Sequence, residues 1–257
     1  MDALPNVPPW IQTFFTRLPT RAIYHLATLA PHYFVYYCLF FLQTFWANFD
    51  ICIFQALAKQ MIDSRKQYYF AKGHMAPDAD FVTEAEQDAT YYYINAVPQW
   101  QAFNNGNWKY LEFATRDLAE KRSTDMTIYS GSWGVLELDD INENPVDIYL
   151  GLSAKERVVP APALNWKVIY EESSESAVAV VGINNPHIST PPEPLCKNIC
   201  PDLPWIDFKT EDLGHGYTYC CDVNDLRKFI PIIPDLGKVH LLGHSSVELP
   251  SCRLYGI

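Results

Sequence analysis

AKGHMAP, at residues 71–77, is the part of this chain that is most informative about its architecture. Together with the residues up to Phe81 it is typical of a loop, because glycine and proline favour turns. Lys72 places a cation close to His74, and Gly73 between them permits an unusual backbone angle. A histidine titrates near neutral pH and can serve as a base, although a lone histidine is more often structural.

A second pattern lies downstream, where four side chains follow one another at intervals of four residues: Asn104, Trp108, Glu112 and Arg116. In a helix this spacing stacks the side chains along one stripe. An amide oxygen, a carboxylate and a guanidinium on one helix edge could hold a metal ion and a phosphate. The alternative is an ordinary amphipathic helix on which Glu112 and Arg116 form an exposed ion pair.

The hydrophobic pattern predicts several elements. Residues 107–121 have helical periodicity, with a buried stripe formed by Trp108, Leu111, Ala114 and Leu118. Residues 127–138 indicate a strand, a glycine-containing turn and a second strand, and residues 163–183 indicate a hairpin with a polar turn at 171–175. A short helix is expected near residues 223–229. This pattern predicts an α+β fold built on a mainly antiparallel sheet.

Composition limits the classes of function. The chain has 257 residues, 49% of them hydrophobic, which is enough for a substantial core. Its formal net charge of −11 excludes a generic basic coat for nucleic acid, because phosphate affinity comes mainly from lysine and arginine. Any contact with nucleic acid must therefore be made by a local basic groove.

Five of the seven cysteines lie in the last quarter of the chain: Cys196, Cys200, Cys220, Cys221 and Cys252. This crowding favours disulfides and an oxidising compartment. A structural zinc site formed by the first four is the alternative. It is less favoured because the adjacent pair Cys220 and Cys221 lacks the usual CxxC ligand spacing.

The N-terminal quarter is unusual. Residues 1–62 are treated as an atypical apolar segment that precedes a domain at residues 63–257. Residues 34–58 are long and apolar enough to span a bilayer, but Gln43, Asn48 and Asp50 interrupt them, and they suit a buried core element equally well. Residues 1–20 do not have the form of a usual signal peptide.

KGHMAP and the pattern N-x-x-P-Q-x-x-x-x-N-x-x-x-W-x-x-L-E-x-x-x-R, at residues 95–116, together resemble the DNA/RNA non-specific endonucleases. The resemblance is strongest to the secreted arthropod nucleases that digest double-stranded RNA and DNA. It continues through residues 127–138, NWKVIY, AVAVVGINNP and the cysteine-rich GYTYCCDV. It implies a ββα-metal, or His-Me finger, core with a cysteine-rich C-terminal coat.

The resemblance also implies the roles of single residues. His74 would be the general base, and Asn104 the one direct protein ligand of a Mg²⁺ ion, for which Mn²⁺ could substitute. Glu112 would hydrogen-bond water on the metal and Asn95 would help to order the site. Arg116 and Lys72 would bind the substrate phosphate, and Arg116 would also stabilise the transition state.

One departure from the family pattern concerns the residues before the histidine. The broad family has Asp-Arg-Gly-His where this chain has Ala71-Lys72-Gly73-His74. Lysine keeps the charge of arginine but loses its bidentate fork on phosphate, so reduced activity is expected.

Two alternative functions follow from this departure and from the N-terminal segment. One is a catalytically weak or inactive homologue that binds nucleic acid, and the other is a nuclease-like protein tethered by residues 34–58. The expected partners are DNA and RNA, a homodimer is left open, and membrane contact is not expected. The expected location is extracellular. His215, His240 and His244 have no acidic or thiol partner at ligand spacing and are interpreted as structural.

Overall fold

A six-stranded sheet is the framework of the computed structural model, which describes residues 14–18, 61, 63–140, 142–150 and 157–243. Within these ranges the strands are β1 (Phe14–Leu18), β2 (Phe70–His74), β3 (Ala96–Trp100), β4 (Met126–Trp133), β5 (Glu137–Asp139), β6 (Pro145–Asp147), β7 (Tyr149–Leu150), β8 (Val159–Pro160), β9 (Leu164–Glu171), β10 (Ser176–Ile183), β11 (Thr218–Cys221) and β12 (His240–Leu241). The helices are α1 (Glu84–Ala89), α2 (Gln101–Phe103), α3 (Lys109–Arg122) and α4 (Val223–Arg227), with a π-helical turn at Asn104–Trp108. Short 3-10 turns lie at Ser64–Lys66, Asp78–Asp80, Tyr93–Asn95, Glu172–Ser174 and Cys200–Asp202.

The large sheet has the strand order β1-β4-β9-β10-β11, and all four of these pairings are antiparallel. β12 adds a short parallel pairing to the start of β10. The hairpin predicted at residues 163–183 is confirmed as β9 and β10, which are joined by the turn Glu172–Ser174 and by Glu175 in the left-handed region at φ 49°. The predicted α+β class with a mainly antiparallel sheet is therefore confirmed.

The sheet separates two hydrophobic layers, because successive side chains of a strand point to opposite faces. Ile169 and Val178 pack on one face with the buried side of α3. Val168 and Ala179 pack on the other face, against α4 and beside side chains of the neighbouring strand β11. The buried stripe predicted for α3 is confirmed: Trp108, Leu111, Ala114 and Leu118 are all buried. The short helix predicted near residues 223–229 is confirmed as α4.

A separate two-stranded sheet precedes α3. The expectation of a loop from Ala71 onwards is wrong for its first part, because β2 pairs along its whole length with β3, from Phe70 opposite Trp100 to His74 opposite Ala96. Pairing with a distant segment outweighed the local turn preference of glycine. Two antiparallel strands followed by a helix give the ββα arrangement that the resemblance implied.

Residues 127–138 form β4 and β5, separated by Gly134 in the left-handed region at φ 71°, as the pattern predicted. β5 pairs with β6 in a sheet of its own. Positive φ at this turn favours glycine because it has no Cβ.

The C-terminal cysteines form two disulfides, Cys196–Cys221 and Cys200–Cys220. The prediction of disulfides is confirmed for these four residues. The zinc alternative is wrong, because sulfur atoms bonded to one another are not thiolate ligands. Cys252 lies outside the described residues.

Most of the N-terminal segment, including residues 34–58, lies outside the described residues. Phe14–Leu18 is described and pairs with β4. The division at residues 62 and 63 and the role of the apolar segment stay predictions. In the part of the chain that the structure does describe, we find no helix with the length and apolar character needed to cross a bilayer.

Candidate active site

His74 is the last residue of β2. Lys72 lies two residues earlier and is therefore on the same face of the strand. Between them, Gly73 faces the buried side chain of Gln99 so closely that a Cβ at position 73 would overlap it. The His74 ring packs edge-on against Tyr91, with 4.7 Å between ring centroids, and the Tyr91 hydroxyl donates to an Asp78 carboxylate oxygen at 2.9 Å.

The environment of His74 favours the neutral imidazole. Burial lowers the pKa of His74, and the nearby cations Lys167 and Lys72 lower it further, while the Asp78 carboxylate opposes them. A neutral imidazole has a nitrogen that can accept a proton. The lowered pKa therefore favours the neutral form of His74 at neutral pH.

Asn95 fixes the chain immediately after His74. Its Nδ2 donates to the carbonyl of Ala76 at 2.8 Å and to that of Thr90 at 2.9 Å, and its Oδ1 accepts from the Ala76 amide at 3.0 Å. The Asn95 carbonyl also accepts from the amide of Met75 at 2.9 Å. Asn95 is buried, so these contacts order the backbone and are not directed at a substrate.

Lys167, in the middle of β9, lies at the centre of the site and was not singled out from the sequence. Its ammonium donates to the Met75 carbonyl at 2.7 Å and to the Ser130 hydroxyl at 3.2 Å. It also lies 3.7 Å from a carboxylate oxygen of Glu112. A lysine between the apolar residues Trp166 and Val168 was the signal available, since a buried ammonium needs an acidic partner.

Glu112 projects from α3 toward this lysine, and its side chain is 14% exposed. Burial raises the pKa of Glu112 to about 7, with the Asp80 carboxylate acting in the same direction and Lys167 and Arg116 acting against it. Burial also lowers the pKa of Lys167, opposed by Glu112 and Asp80. Near pH 7 the carboxyl group of Glu112 can therefore accept a hydrogen bond when it is ionised and donate one when it is protonated.

Arg116 pairs with Asp80 and not with Glu112. Its guanidinium donates to the Asp80 carboxylate at 2.8 Å and lies 4.9 Å from the centre of the exposed Phe113 ring. The Asp80 side chain is 7% exposed. The alternative of an exposed Glu112–Arg116 pair is therefore wrong, because each residue has a partner from another element. Asp80, like Lys167, was not recognised from the sequence.

Asn104 lies before α3, beyond a break in the helix. Gly106, at φ −99° and ψ −126°, is not helical, and a Cβ there would overlap the backbone of His215. The predicted single stripe is therefore discontinuous: Glu112 and Arg116 are on α3, Trp108 is buried in the core, and Asn104 is on a separate turn. The side-chain Nδ2 of Asn104 donates to the Gln101 side chain at 3.2 Å. The side-chain oxygen Oδ1 of Asn104 is therefore the atom that could coordinate an ion.

The donor set fits an ion that keeps most of its water. In the described ranges, no three side chains among His, Cys, Asp and Glu are grouped so that they could hold a metal. Asn104 offers one neutral oxygen and Glu112 one mostly buried carboxylate. Mg²⁺ gives up water reluctantly and is commonly held through few protein oxygens, so it fits this set better than zinc.

Lys72 is exposed, and its ammonium lies 5.1 Å from the centre of the Tyr93 ring. Its cation is therefore accessible to a phosphate. Among the other histidines, His215 does have an acidic partner, contrary to expectation: its Nδ1 lies 3.0 Å from Asp212, three residues earlier. His240 is exposed on β12, and His244 lies outside the described residues.

Comparisons with known proteins relate this chain to one family of nucleases. The family model of the DNA/RNA non-specific endonucleases matches residues 49–226. A salivary endonuclease of Lutzomyia longipalpis is 34% identical over 178 residues, covering 68% of this chain and 42% of that protein. Salivary protein Tsal1 of Glossina morsitans morsitans is 30% identical over 177 residues, covering 68% of this chain and 43% of that protein. A crystal structure of the EndoG/EndoGI complex shares 26% identity over 45% of this chain and 48% of that chain, with a TM-score of 0.36.

The match thus spans less than half the length of each of these two salivary relatives. The family match itself covers well over half of this chain and includes both the β2–β3 pair and α3. The chain therefore belongs to the DNA/RNA non-specific endonuclease family.

Proposed function

We propose that this protein is a Mg²⁺-dependent endonuclease that hydrolyses phosphodiester bonds of RNA and DNA without sequence preference, with Mn²⁺ as a substitute ion. One observation carries the proposal: His74, at the end of β2, is joined through Met75 and the buried Lys167 to Glu112 on α3. These contacts link β2, β9 and α3, and they thereby hold a candidate base and a candidate metal-facing carboxylate in fixed relative positions.

His74 performs the proton transfer in the proposed reaction. Its neutral imidazole accepts a proton from the attacking water, whose oxygen forms a bond to phosphorus while the bond to the leaving oxygen breaks. Asn104 would hold the ion, and Glu112 would face the water around it. When bound, Mg²⁺ supplies positive charge next to the scissile phosphate and its leaving oxygen. Arg116, oriented by Asp80, stabilises the negative charge of the transition state.

Substrate binding in this proposal depends on phosphate and not on base edges. Lys72 is an accessible point charge on the same strand face as His74, and Arg116 is the second cation at the site. Contacts with phosphate position a nucleic acid but carry no sequence information. This explains how a chain of net charge −11 can still bind RNA and DNA at one place.

The alternative is a homologue that binds nucleic acid and cleaves it weakly or not at all. The specific observation that favours it is Lys72 in the position where the family has arginine, since a single ammonium cannot form the bidentate contact with phosphate. An extracellular location is part of the proposal, supported by two disulfides and by relatives named as salivary proteins.

The test is cleavage of long double-stranded RNA and of plasmid DNA with Mg²⁺ or with EDTA, comparing wild type with His74→Ala. His240→Ala is the matched control, because His240 is exposed and lies on β12, away from the β2–β3 pair. We expect metal-dependent cutting by wild type and by the control, and loss of cutting in a folded His74→Ala variant. Full activity of that variant would overturn the proposal, and salt-dependent binding without any product would favour the alternative.

A further inference from the structure

Lys167 makes polar contacts with three separate parts of the candidate site while being almost inaccessible to solvent. Its side chain is 3% exposed, and its position in β9 is directly opposite Ser130 of β4. Given the proposed function, we infer that Lys167 is a positioning residue that locks the end of β2, and thereby His74, to Glu112 on α3.

The contacts of the ammonium group comprise two hydrogen bonds and one ion pair. A lysine has three N–H donors and no acceptor. One hydrogen bond goes to the Met75 carbonyl at 2.7 Å and one to the Ser130 hydroxyl at 3.2 Å. The remaining direction is toward Glu112, 3.7 Å away, a distance at which the attraction is between charges and not a formal hydrogen bond.

Met75 is the residue directly after His74, so its carbonyl belongs to the Met75–Ala76 peptide unit, one residue beyond the end of β2. Asn95 holds the next residue, Ala76, through its side chain. Lys167 and Asn95 therefore both hold the Met75–Ala76 peptide unit, Lys167 at its carbonyl and Asn95 at its amide. Restraint of this kind determines where the imidazole of a base lies relative to the phosphate, and an error of about 1 Å there can cost about 100-fold in rate.

The carboxylates around residue 167 explain why a cation is needed at this position. Two carboxylates, Glu112 and Asp80, lie near the Lys167 ammonium, and Asp80 also binds Arg116. Removing one partner of a buried ion pair leaves the other charge uncompensated, which is strongly unfavourable. Without Lys167, Glu112 would tend to be protonated or to turn away from the centre of the site. Lys167 itself is too deeply buried to reach a substrate, so its effect is exerted through its neighbours.

The test compares wild type with Lys167→Met, which keeps an unbranched side chain one atom shorter and removes its charge. We expect kcat to fall by about 100-fold, with KM changed by less than about threefold. Lys238→Met is the matched control, because Lys238 is exposed, and it should retain the wild-type kcat. A wild-type kcat in a folded Lys167→Met variant would overturn the inference.

A second measurement does not depend on catalysis. The groups that face His74 are Lys72 on its own strand, Asp78 and Tyr91 from the following segment, and Lys167 from β9. NMR titration of His74 in Lys167→Met should show a rise in its pKa, because one of two neighbouring cations has been removed. If Lys167 only fills space, Lys167→Met will lower the melting temperature but leave the titration of His74 unchanged. That result would overturn the inference.

Two further outcomes are distinguishable. If wild type does not cleave but the titration of His74 shifts, the proposed function fails and the influence of Lys167 on His74 stands. If Lys167→Met does not fold, the same titration is made in the Lys167→Met, Glu112→Gln double variant, in which the pair loses both charges, and is compared with Glu112→Gln alone. A shift between these two supports the inference, and identical titrations overturn it.

Discussion

The two disulfides are nested, and this arrangement makes their contributions to stability non-additive. Cys200–Cys220 lies within the segment that Cys196–Cys221 closes, with sequence separations of 20 and 25 residues. We consider three variants with alanine in place of cysteine: one that lacks the inner disulfide, one that lacks the outer disulfide, and one that lacks both.

The magnitude follows from the lengths of the closed loops. In the chain-entropy relation, a loop of 25 residues contributes about 3.5 kcal/mol and one of 20 residues about 3.3 kcal/mol at about 25 °C. When one disulfide is present, the other closes a ring of only about five residues, for which the same relation gives about 2 kcal/mol. Loss of either disulfide alone should therefore cost about 2 kcal/mol, whereas loss of both should cost about 5.5 kcal/mol.

The loss should also affect the candidate site. Asn107, at the break before α3, donates through its side chain to the carbonyls of Lys209 and Gly216. Both carbonyls belong to the segment that the disulfides close. Loosening this segment should therefore relax the turn that carries Asn104 and reduce cleavage along with stability.

Urea unfolding under non-oxidising conditions measures these free energies, and each comparison requires equal m-values. Reduced wild type serves as the control and should match the variant that lacks both disulfides. A loss for the double removal that equals the sum of the two single losses would refute the nested-loop reasoning. A wild type whose free energy of unfolding does not change when its disulfides are reduced would also refute this reasoning.

The other predictions concern single residues of the site. The ratio kcat/KM should rise with pH as His74 loses its proton. The pKa of His74 should lie below the ordinary value for histidine, because burial, Lys167 and Lys72 all lower it, and an NMR titration that places it above that value would contradict this. Gly73→Ala should lower the free energy of unfolding by about 1–3 kcal/mol, because the new methyl group would overlap Gln99; an unchanged melting temperature would argue against such close packing. Asp80→Asn should cost about 1.5–3 kcal/mol of stability through loss of a charge-assisted hydrogen bond to Arg116 and should reduce kcat, and unchanged cleavage would show that Arg116 does not depend on Asp80.

Local patterns in the sequence predicted a good part of this fold. The apolar periodicity of residues 107–121 indicated α3 and its buried stripe, and the two apolar runs of residues 163–183 indicated the β9–β10 hairpin. Both signals arise within one element or between neighbouring ones, so they can be read along the chain. The crowding of cysteines likewise predicted disulfides, but four cysteines allow three pairings and spacing alone did not select one.

The centre of the candidate site could not be predicted in this way. Lys167 and Met75 are 92 residues apart, and Arg116 and Asp80 are 36 residues apart, so no local periodicity links them. The strand character of residues 70–74 was missed for the same reason, because it depends on pairing with β3. The sequence alone was sufficient to identify the family and its candidate residues. Only the tertiary structure brought a buried cation to Glu112 and an acidic partner to Arg116, because a buried charge is stable only where distant segments meet to compensate it.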